Sequence, residues 1–376
     1  MTLPAGYLEE FPPTDGYLNF ASIGPPSLAA ERALAETFSG VVRPAGVIAD
    51  PLFQRLEHAR ERAATLVGVS TDHLGLVHST SEGLFSVAFG LGEGGNVVVP
   101  AGEFPANLYP WIRAAGRGGP EVRMVEVPDG RTTAEALAPY VDDQTVAIAL
   151  SLVCFLSGFR VDLAEMRELA GERLLIVDAI QGVGAIETAL EPADVMVAGG
   201  QKWLRAGNGV ALLALSDRAL ERLDSSLVGW TGVDDFMASE QPAPHRPLAT
   251  AGRFQLGSAP IVMAAPFGAA LDVLLEGGPG AVEAVVLERS KALEEVLRSA
   301  DAEVLSPWQS DSERSGIVSF KLPGIPPQAI FEAFTAGGVV VSIRNRDWIR
   351  LSPHATTPAW VVDHVADLLA KLKVSH

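Results

Sequence analysis

One lysine marks the segment of this sequence that is best suited to chemistry. Lys202 is the only lysine among the first 290 residues, although the chain has 28 lysines and arginines in total. It lies in residues 198–209, AGGQKWLRAGNG, between two apolar runs that are typical of strands. An arginine stays charged, whereas a lysine amine can lose its proton and form an imine, so this position favours covalent chemistry over a surface charge.

A carboxylate that is suited to the same site precedes the lysine by 24 positions. The apolar run 174–177, LLIV, ends in Asp178. It predicts a buried parallel strand, whose C-terminal end is where open α/β sheets place their ligands. An aspartate and a lysine together can bind pyridoxal 5′-phosphate, because the carboxylate keeps the pyridine nitrogen protonated while the amine holds the aldehyde. The two residues therefore predict a pyridoxal-phosphate site with Lys202 as the catalytic residue.

The surrounding pattern predicts the elements that position these side chains. Short apolar runs alternate with helical patterns such as residues 51–67 and 133–141, which indicates an α/β fold with a mostly parallel sheet between two layers of helices. The predicted strands of this sheet are residues 74–78, 96–100, 122–127, 146–153, 174–178, 194–198 and 210–215.

A smaller α+β C-terminal domain is predicted to follow. Its elements are helices over residues 264–275, 282–300 and 360–372 and strands over residues 315–322 and 339–343. Residues 234–252, rich in Pro, Ala and polar types, predict a long loop before it. The predicted division is a large cofactor-binding domain over 16–262 and a small domain over 263–376 that includes the N-terminal segment 1–15.

Four further segments carry a resemblance to a known superfamily. They are residues 17–26 (YLNFASIGPP), 78–83 (HSTSEG), 102–111 (GEFPANLYPW) and 253–258 (RFQLGS). With the Lys202 segment, and in this order, they resemble the fold-type I pyridoxal-phosphate enzymes of the class V aminotransferase and cysteine desulfurase superfamily. The resemblance runs from about residue 17 to the C-terminus, and it implies the seven-stranded sheet of the pyridoxal-phosphate-dependent transferase fold.

The resemblance implies a contact for each part of the cofactor. Thr80 and Ser81 open a predicted helix whose N-terminus offers donors to the phosphate. Gln181 matches a residue that hydrogen-bonds the phenolic oxygen of the ring, and Gln201 matches one that can reach the phosphate. Phe104 stands where many relatives stack a histidine on the ring, and it can stack there but cannot transfer protons.

Substrate recognition is implied to rest on two arginines and a glycine turn. Arg350, in the segment WIRLSPH, matches the arginine that binds the substrate α-carboxylate, a contact that suits a planar guanidinium. Arg344 matches a second arginine that assists in desulfurases. The turn at Gly24 is implied to face the substrate and limit its size. Ser258 matches a residue that donates to the phosphate held by the other subunit, so the resemblance implies a homodimer with shared active sites.

Two departures separate the chain from cysteine desulfurases. Arg350 follows Arg344 by only six positions, and the stretch between them has no cysteine, whereas desulfurases carry their nucleophilic cysteine on a loop there. Cys154, the sole cysteine, is interpreted as a small buried apolar residue. Phe155 replaces an asparagine that is common in desulfurases. The sequence therefore disfavours sulfur transfer through an enzyme persulfide.

The reaction itself stays open at this level. We expect an enzyme that acts on an amino acid through an external aldimine, with Lys202 moving the protons. An aminotransferase leads because transamination needs no further group, and a β-eliminating C–S lyase is the alternative. An epimerase, suggested by residues 103–107, and a non-catalytic pyridoxal-phosphate-binding protein follow. A nucleotide-binding oxidoreductase is disfavoured, because the glycine cluster 90–95 precedes a strand instead of joining a strand to a helix.

Composition limits the partners and the location. A net charge of −18 disfavours nucleic acids and anionic membranes as partners. No apolar run approaches the roughly 20 residues that a membrane span needs, and the histidine and cysteine spacing predicts no metal site. The first ten residues lack the pattern of a signal peptide, and one cysteine suits a reducing compartment. We therefore predict a cytoplasmic enzyme with a small amino-acid substrate.

Overall fold

A seven-stranded sheet lies at the centre of the computed structural model, which describes residues 3–41, 49–127, 129–235 and 245–375. Its strands are β1 (Leu74–Val77), β2 (Asn96–Pro100), β3 (Glu121–Val125), β4 (Thr145–Ser151), β5 (Leu174–Asp178), β6 (Val195–Gly199) and β7 (Ala211–Leu215). Their spatial order is β1-β7-β6-β5-β4-β2-β3. Strands β2 to β6 are parallel, and only β7 runs antiparallel to both of its neighbours. The predicted mostly parallel seven-stranded sheet is confirmed.

Helices cover both faces of this sheet. The helices of the described residues, including α10 to α12 that pack on the second sheet, are α1 (Ala5–Glu9), α2 (Leu28–Val41), α3 (Ala49–Val67), α4 (Thr80–Gly90), α5 (Tyr109–Ala115), α6 (Ala134–Leu137), α7 (Leu163–Ala170), α8 (Asp217–Arg222), α9 (Ile261–Gly277), α10 (Pro279–Ser299), α11 (Pro327–Ala336) and α12 (Trp360–Ser375). Successive residues of β5 show the two layers: Val177 packs in one apolar cluster with Phe267 of α9, and Ile176 packs in another with Leu84 of α4. This two-sided burial explains why the strands are almost uniformly apolar.

A second, antiparallel sheet follows in the C-terminal part of the chain. It contains β8 (Glu303–Val304), β9 (Val318–Lys321), β10 (Ser342–Arg344) and β11 (Trp348–Leu351), in the order β10-β11-β9-β8. Helices α10, α11 and α12 pack on it through Leu293, Phe334 and Val365. This sheet and its helices form the α+β part that the sequence predicted.

The N-terminal segment connects the two sheets. Leu18 packs in the apolar core of the second sheet, where its N–H donates to the carbonyl oxygen of Val340 at 2.9 Å. Two residues later, Phe20 packs in the core of the first sheet. The chain therefore crosses from one unit to the other between these residues, although the predicted large domain begins at residue 16. The domain boundaries remain predictions.

Most predicted elements begin or end one to four residues away from the observed ones, and two of these differences have a clear physical reason. Instead of one helix over residues 133–141, α6 ends at Leu137 and a 3-10 turn follows over Ala138–Tyr140. Pro139 accounts for this, because it lacks the N–H that an α-helix would need there. The second strand predicted at 339–343 begins only at Ser342, since Val340 instead bridges to Tyr17.

The predicted loop over residues 234–252 lies partly outside the described residues, which omit 236–244. Its described ends approach each other through an antiparallel bridge between Val233 and Pro247. Across the described ranges, no single helix is long and apolar enough to cross a membrane, and α9 and α10, which pass that test only as a pair, are bent by 81° at their junction.

Candidate active site

Asp178 and Lys202 lie at the same edge of the central sheet. Asp178 is the last residue of β5, and Lys202 follows the end of β6, the parallel neighbour of β5. Burial raises the pKa of Asp178 to about 6, an effect that Lys202 partly opposes. Burial lowers the pKa of Lys202 to about 8, with Asp178 opposing this shift and Arg350 and Arg344 adding to it. The charges of Asp178, Arg344 and Arg350 therefore all act on the amine of Lys202.

The N-terminus of α4 faces this edge and is suited to a phosphate. Ser79 caps the helix, because its side chain accepts a hydrogen bond from the N–H of Glu82 at 3.1 Å. Thr80 and Ser81 are the first helical residues, and intrahelical bonding leaves the N–H groups of a first turn free. Such free N–H groups and the positive end of the helix dipole favour an anion.

The side chains around the N-terminus of α4 leave space for a phosphate and offer hydrogen-bond donors to it. The buried hydroxyl of Thr80 has no hydrogen-bond partner. Gly199, the last residue of β6, lies under it: a Cβ built there would be 3.1 Å from Oγ1 of Thr80 and 2.4 Å from Oε1 of Gln201. Thr80 and Gln201 thus converge where only a glycine fits, and an orphaned buried hydroxyl at a helix N-terminus fits a phosphate ligand.

An aromatic wall stands beside the lysine. Nζ of Lys202 lies 5.7 Å from the ring centroid of Phe104, and the ring of Phe104 meets that of Phe155 edge-on at 5.3 Å. Phe104 is 45% exposed. A half-exposed ring above the amine is free to stack on a planar ligand that the lysine holds.

The structure gives Gln181 two protein partners. Its Nε2 donates to the carbonyl oxygen of Ala21 at 2.9 Å, and its Oε1 accepts from Nε1 of Trp203 at the same distance. Gln181 therefore ties the lysine segment to the N-terminal segment. An amide nitrogen carries two donors, so the predicted bond to the phenolic oxygen of the cofactor requires the second N–H of Nε2.

The two predicted substrate arginines meet at one hydroxyl. Arg350, which is 1% exposed, donates from Nη2 to Oγ of Ser22 at 2.8 Å and from Nη1 to the carbonyl oxygen of Phe155 at 2.6 Å. Arg344 donates to the same Oγ. Burial lowers the pKa of Arg350 to about 9, and the charge of Arg344 adds to this shift.

Ser258 and Cys154 differ in their exposure: Ser258 is exposed, and Cys154 is half-buried. Ser258 is exposed on the single chain and follows the 3-10 turn Ala251–Phe254, and its role toward the other subunit remains a prediction. Cys154 is half-buried instead of fully buried, because it begins the turn after β4. Its Sγ accepts a hydrogen bond from the N–H of Ser157 at 3.5 Å, and it lies close enough to Arg350 to oppose slightly the lowering of the pKa of that guanidinium.

Two residues that support the site were missed in the sequence. Glu103, directly before Phe104, accepts from the N–H of Ser151 at 2.7 Å and from the hydroxyl of the same residue, which fixes the aromatic loop, residues 101–107 around Phe104, to the end of β4. Burial raises the pKa of Glu103 to about 7 despite these bonds. Arg205 is buried with a left-handed backbone (φ 55°), and its Nε donates to the carbonyl oxygen of Pro25 at 2.6 Å. One indication of these two residues was available in the sequence: Glu103 lies next to Phe104, and Arg205 lies three positions after Lys202.

The glycine turn contacts the lysine segment directly. The N–H of Gly24 donates to the carbonyl oxygen of Gln201 at 2.8 Å, and a Cβ on Gly24 would lie 2.1 Å from the carbonyl oxygen of Lys202. Only a glycine permits this approach.

We expect Gly24→Ala to displace the lysine segment and to lower the free energy of unfolding by about 1–3 kcal/mol, as overpacking of a close contact does. Thermal unfolding and retention of the cofactor measure the two effects. Gly40→Ala, at a helical glycine whose Cβ would have nothing within 4 Å, is the matched control and should be neutral or stabilising. Equal behaviour of the two variants would show that the turn can move away without cost.

Comparison with known proteins places this chain among enzymes. It is 26% identical over 330 residues to a probable cysteine desulfurase of Methanothermobacter thermautotrophicus, covering 84% of this chain and 80% of that protein. It is 27% identical over 391 residues to the isopenicillin N epimerase of Streptomyces clavuligerus, covering 96% and 95%. The fold also resembles the solved complex of the cystine C–S lyase C-DES with its product cysteine persulfide, with a TM-score of 0.84, 21% identity and coverage of 95% and 97%.

The family match covers most of the chain. The pattern of the family described as "Aminotransferase class-V" matches residues 27–343, a range that contains Thr80, Asp178 and Lys202, whereas Arg344 and Arg350 lie just beyond its end. The orphaned hydroxyl of Thr80, the buried Asp178 and the amine of Lys202 fit the phosphate, the ring nitrogen and the aldehyde of pyridoxal 5′-phosphate, respectively. The chain belongs to the aminotransferase class-V family of pyridoxal-phosphate-dependent enzymes, and its cofactor is pyridoxal 5′-phosphate.

Proposed function

We propose that this enzyme is an aminotransferase, which moves the amino group of an α-amino acid to a 2-oxo acid. The observation that carries the proposal is the environment of Lys202. Burial lowers the pKa of its amine to about 8, so the amine loses its proton more readily than that of an exposed lysine. The aromatic rings beside it, Phe104 and Phe155, have no group that exchanges protons.

Each side chain then has one task. Arg350 binds the substrate carboxylate, and Phe104 covers the ring face. Asp178 holds the proton of the ring nitrogen, and bound pyridoxal phosphate supplies the electron withdrawal that acidifies the substrate Cα–H. Lys202 would accept the proton from the substrate Cα and would deliver one to the carbon of the cofactor that carries the aldehyde, two bonds from Cα. Transamination needs only this one mobile proton donor and acceptor.

β-Elimination from a cysteine derivative, the reaction of a C–S lyase, is the second candidate. It begins with the same removal of the Cα proton by Lys202 and needs no enzyme cysteine. The turn between β10 and β11 is only three residues long in this chain and carries no cysteine. The fold similarity to C-DES also supports this candidate. Epimerisation is the third candidate, supported by the relative in Streptomyces clavuligerus.

Visible spectroscopy of the purified holoenzyme separates these reactions. We expect an amino-acid donor to bleach the visible band of the lysine-bound cofactor and to release the matching 2-oxo acid in equal amount. A cysteine conjugate that yields pyruvate and ammonia, with the band restored, would instead make the enzyme a C–S lyase. Inversion of the donor at Cα with the band restored would make it an epimerase. A cofactor band that responds to no amino acid would identify a non-catalytic binding protein.

We further propose a homodimer in which Ser258 donates to the phosphate bound by the partner. Ser258→Ala is expected to weaken cofactor binding by about tenfold, the effect of one hydrogen bond to a charged group, with little change in unfolding. Titration of the apoenzyme with the cofactor measures this. Ser299→Ala, at an exposed serine of α10, is the control. Unchanged affinity in Ser258→Ala would argue against the shared site.

A further inference from the structure

Two guanidinium groups beside Lys202 carry positive charge without an acidic partner. Within the described part of the chain, no carboxylate pairs with Arg344 or Arg350, whose hydrogen bonds go to neutral oxygens of Ser22 and Phe155. The buried Nε of each arginine has no partner at all. Buried charges are ordinarily paired, so these two groups have unused capacity to bind anions.

Several other partly buried arginines of this acidic chain are paired with carboxylates, whereas the buried Arg205 and Arg253 hydrogen-bond to backbone carbonyl and hydroxyl oxygens. The pairs are Arg131–Glu313, Arg160–Glu283, Arg167–Asp194 and Arg314–Glu294. With a net charge of −18, the sequence has acidic residues in excess. Arg344 and Arg350 differ from Arg205 and Arg253 in that both donate to one and the same hydroxyl oxygen, that of Ser22.

The geometry of the second sheet directs both arginines to one place. Ser342 is the register partner of Arg350 in the β10–β11 pair, and Arg344 lies two positions beyond Ser342. Side chains two positions apart share a face of a strand, so Arg344 and Arg350 are diagonal neighbours on one face. Oγ of Ser22 donates its proton to Oδ1 of Asn19 at 2.6 Å and accepts from both arginines. One neutral oxygen thus occupies the point where two cations converge.

We propose that the substrate is an amino acid with a second acidic group in its side chain, close to the α-carboxylate. This inference rests on the proposed function, in which Arg350 binds the α-carboxylate. Arg344, which is less buried and lies toward the turn between the strands, binds the second acid. A single carboxylate would leave one of two adjacent cations without a counter-charge, and the cofactor phosphate is held elsewhere, at the N-terminus of α4.

The convergence of the arginines also limits the spacer between the two acids. Both guanidinium groups reach the same oxygen, so two anions that replace it must lie side by side. A spacer of the length found in aspartate or glutamate meets this condition. The substrate class is therefore an acidic amino acid with a short side chain.

Binding of substrate-like acids to the holoenzyme tests this without turnover. Succinate is compared with butyrate, and glutarate with pentanoate, by calorimetry and by perturbation of the visible cofactor band. We expect each dicarboxylate to bind roughly 10- to 100-fold more tightly than its matched monocarboxylate, the range for one added hydrogen bond to a charged group. Equal affinities would overturn the proposal, because both arginines would then serve a single carboxylate. The absence of binding by either dicarboxylate would also overturn it.

Variants of Arg344 connect the preference to this residue. Arg344→Gln should remove the dicarboxylate preference while leaving the affinity for butyrate within about twofold, and Arg344→Lys should retain part of the preference. Arg346→Gln makes the same charge change at an exposed position of the same turn and should leave the preference intact. If Arg344→Gln keeps its cofactor band and still prefers dicarboxylates, the assignment of the second acid to Arg344 is wrong. Bleaching of the band by monocarboxylic amino acids would uphold transamination even then.

Discussion

Lys202→Ala is expected to abolish the visible absorbance of the lysine-bound cofactor and to lower turnover by at least about 10²- to 10⁴-fold, the contribution of one positioned proton-transfer group. The loss has two causes. Alanine cannot hold the aldehyde of the cofactor, and the aromatic rings beside the amine cannot take over the transfer of the proton. No other side chain in the proposed mechanism combines these two tasks.

Absorbance spectra and a coupled assay for the released 2-oxo acid measure both effects. Lys291→Ala, at an exposed lysine of α10, is the matched control and should behave as the parent enzyme. Lys202→Arg keeps a positive charge but should also be inactive, because a guanidinium does not deprotonate in this range. Retention of the lysine-type band by Lys202→Ala would mean that another amine holds the cofactor.

The site residues that the sequence could predict are those that lie at or just after the C-terminal ends of strands. Asp178 closes an apolar run, and Lys202 follows another, so the rule that ligands bind at the carboxyl edge of parallel strands was enough to bring them together. Thr80 was predictable for a similar reason, because a helix that follows a strand starts at that same edge. Periodicity, strand order along the chain and turn residues carry this information.

The contacts that complete the site were not predictable in this way. Ser22 lies more than 300 positions from Arg344 and Arg350, and nothing in its local sequence shows that a neutral hydroxyl lies between two cations. The bond from Gln181 to Ala21 and the close approach of Gly24 to the Lys202 carbonyl also depend on how the N-terminal segment crosses between the sheets. Tertiary packing, which periodicity does not encode, decides these contacts.

The sequence likewise does not determine which reaction the enzyme catalyses. Transamination, β-elimination and epimerisation share the first proton transfer, and they diverge only in where the proton returns and whether a substituent leaves. The residues that we propose to orient the substrate lie on the N-terminal segment, the aromatic loop and the second sheet, and they would decide between these reactions. Their mutual placement is visible only in the fold, which is why the proposal of an acidic substrate starts from the structure and not from the sequence.

Asp178→Asn should lower turnover by about 10- to 1,000-fold while the cofactor stays bound. Asparagine has nearly the same shape, and its oxygen can still accept the hydrogen bond that Oδ1 of Asp178 receives from the N–H of Ile180 at 3.0 Å. The amide is neutral, however. An opposite charge at contact distance favours a protonated group by about 1–3 pKa units, so its loss lowers the pKa of the ring nitrogen by that amount and reduces the reactive, protonated fraction.

The loss of activity in Asp178→Asn should depend on pH in a defined direction. A lowered ring-nitrogen pKa leaves fewer molecules protonated at neutral pH, so the deficit of Asp178→Asn relative to the parent enzyme should shrink as the pH falls and grow as it rises. Profiles of kcat/KM against pH, taken with both proteins saturated with cofactor, measure this. Asp363→Asn, at an exposed aspartate of α12, controls for the change in net charge. A deficit that stays constant with pH would mean that Asp178 acts by shaping the pocket, and its charge would not be what the reaction requires.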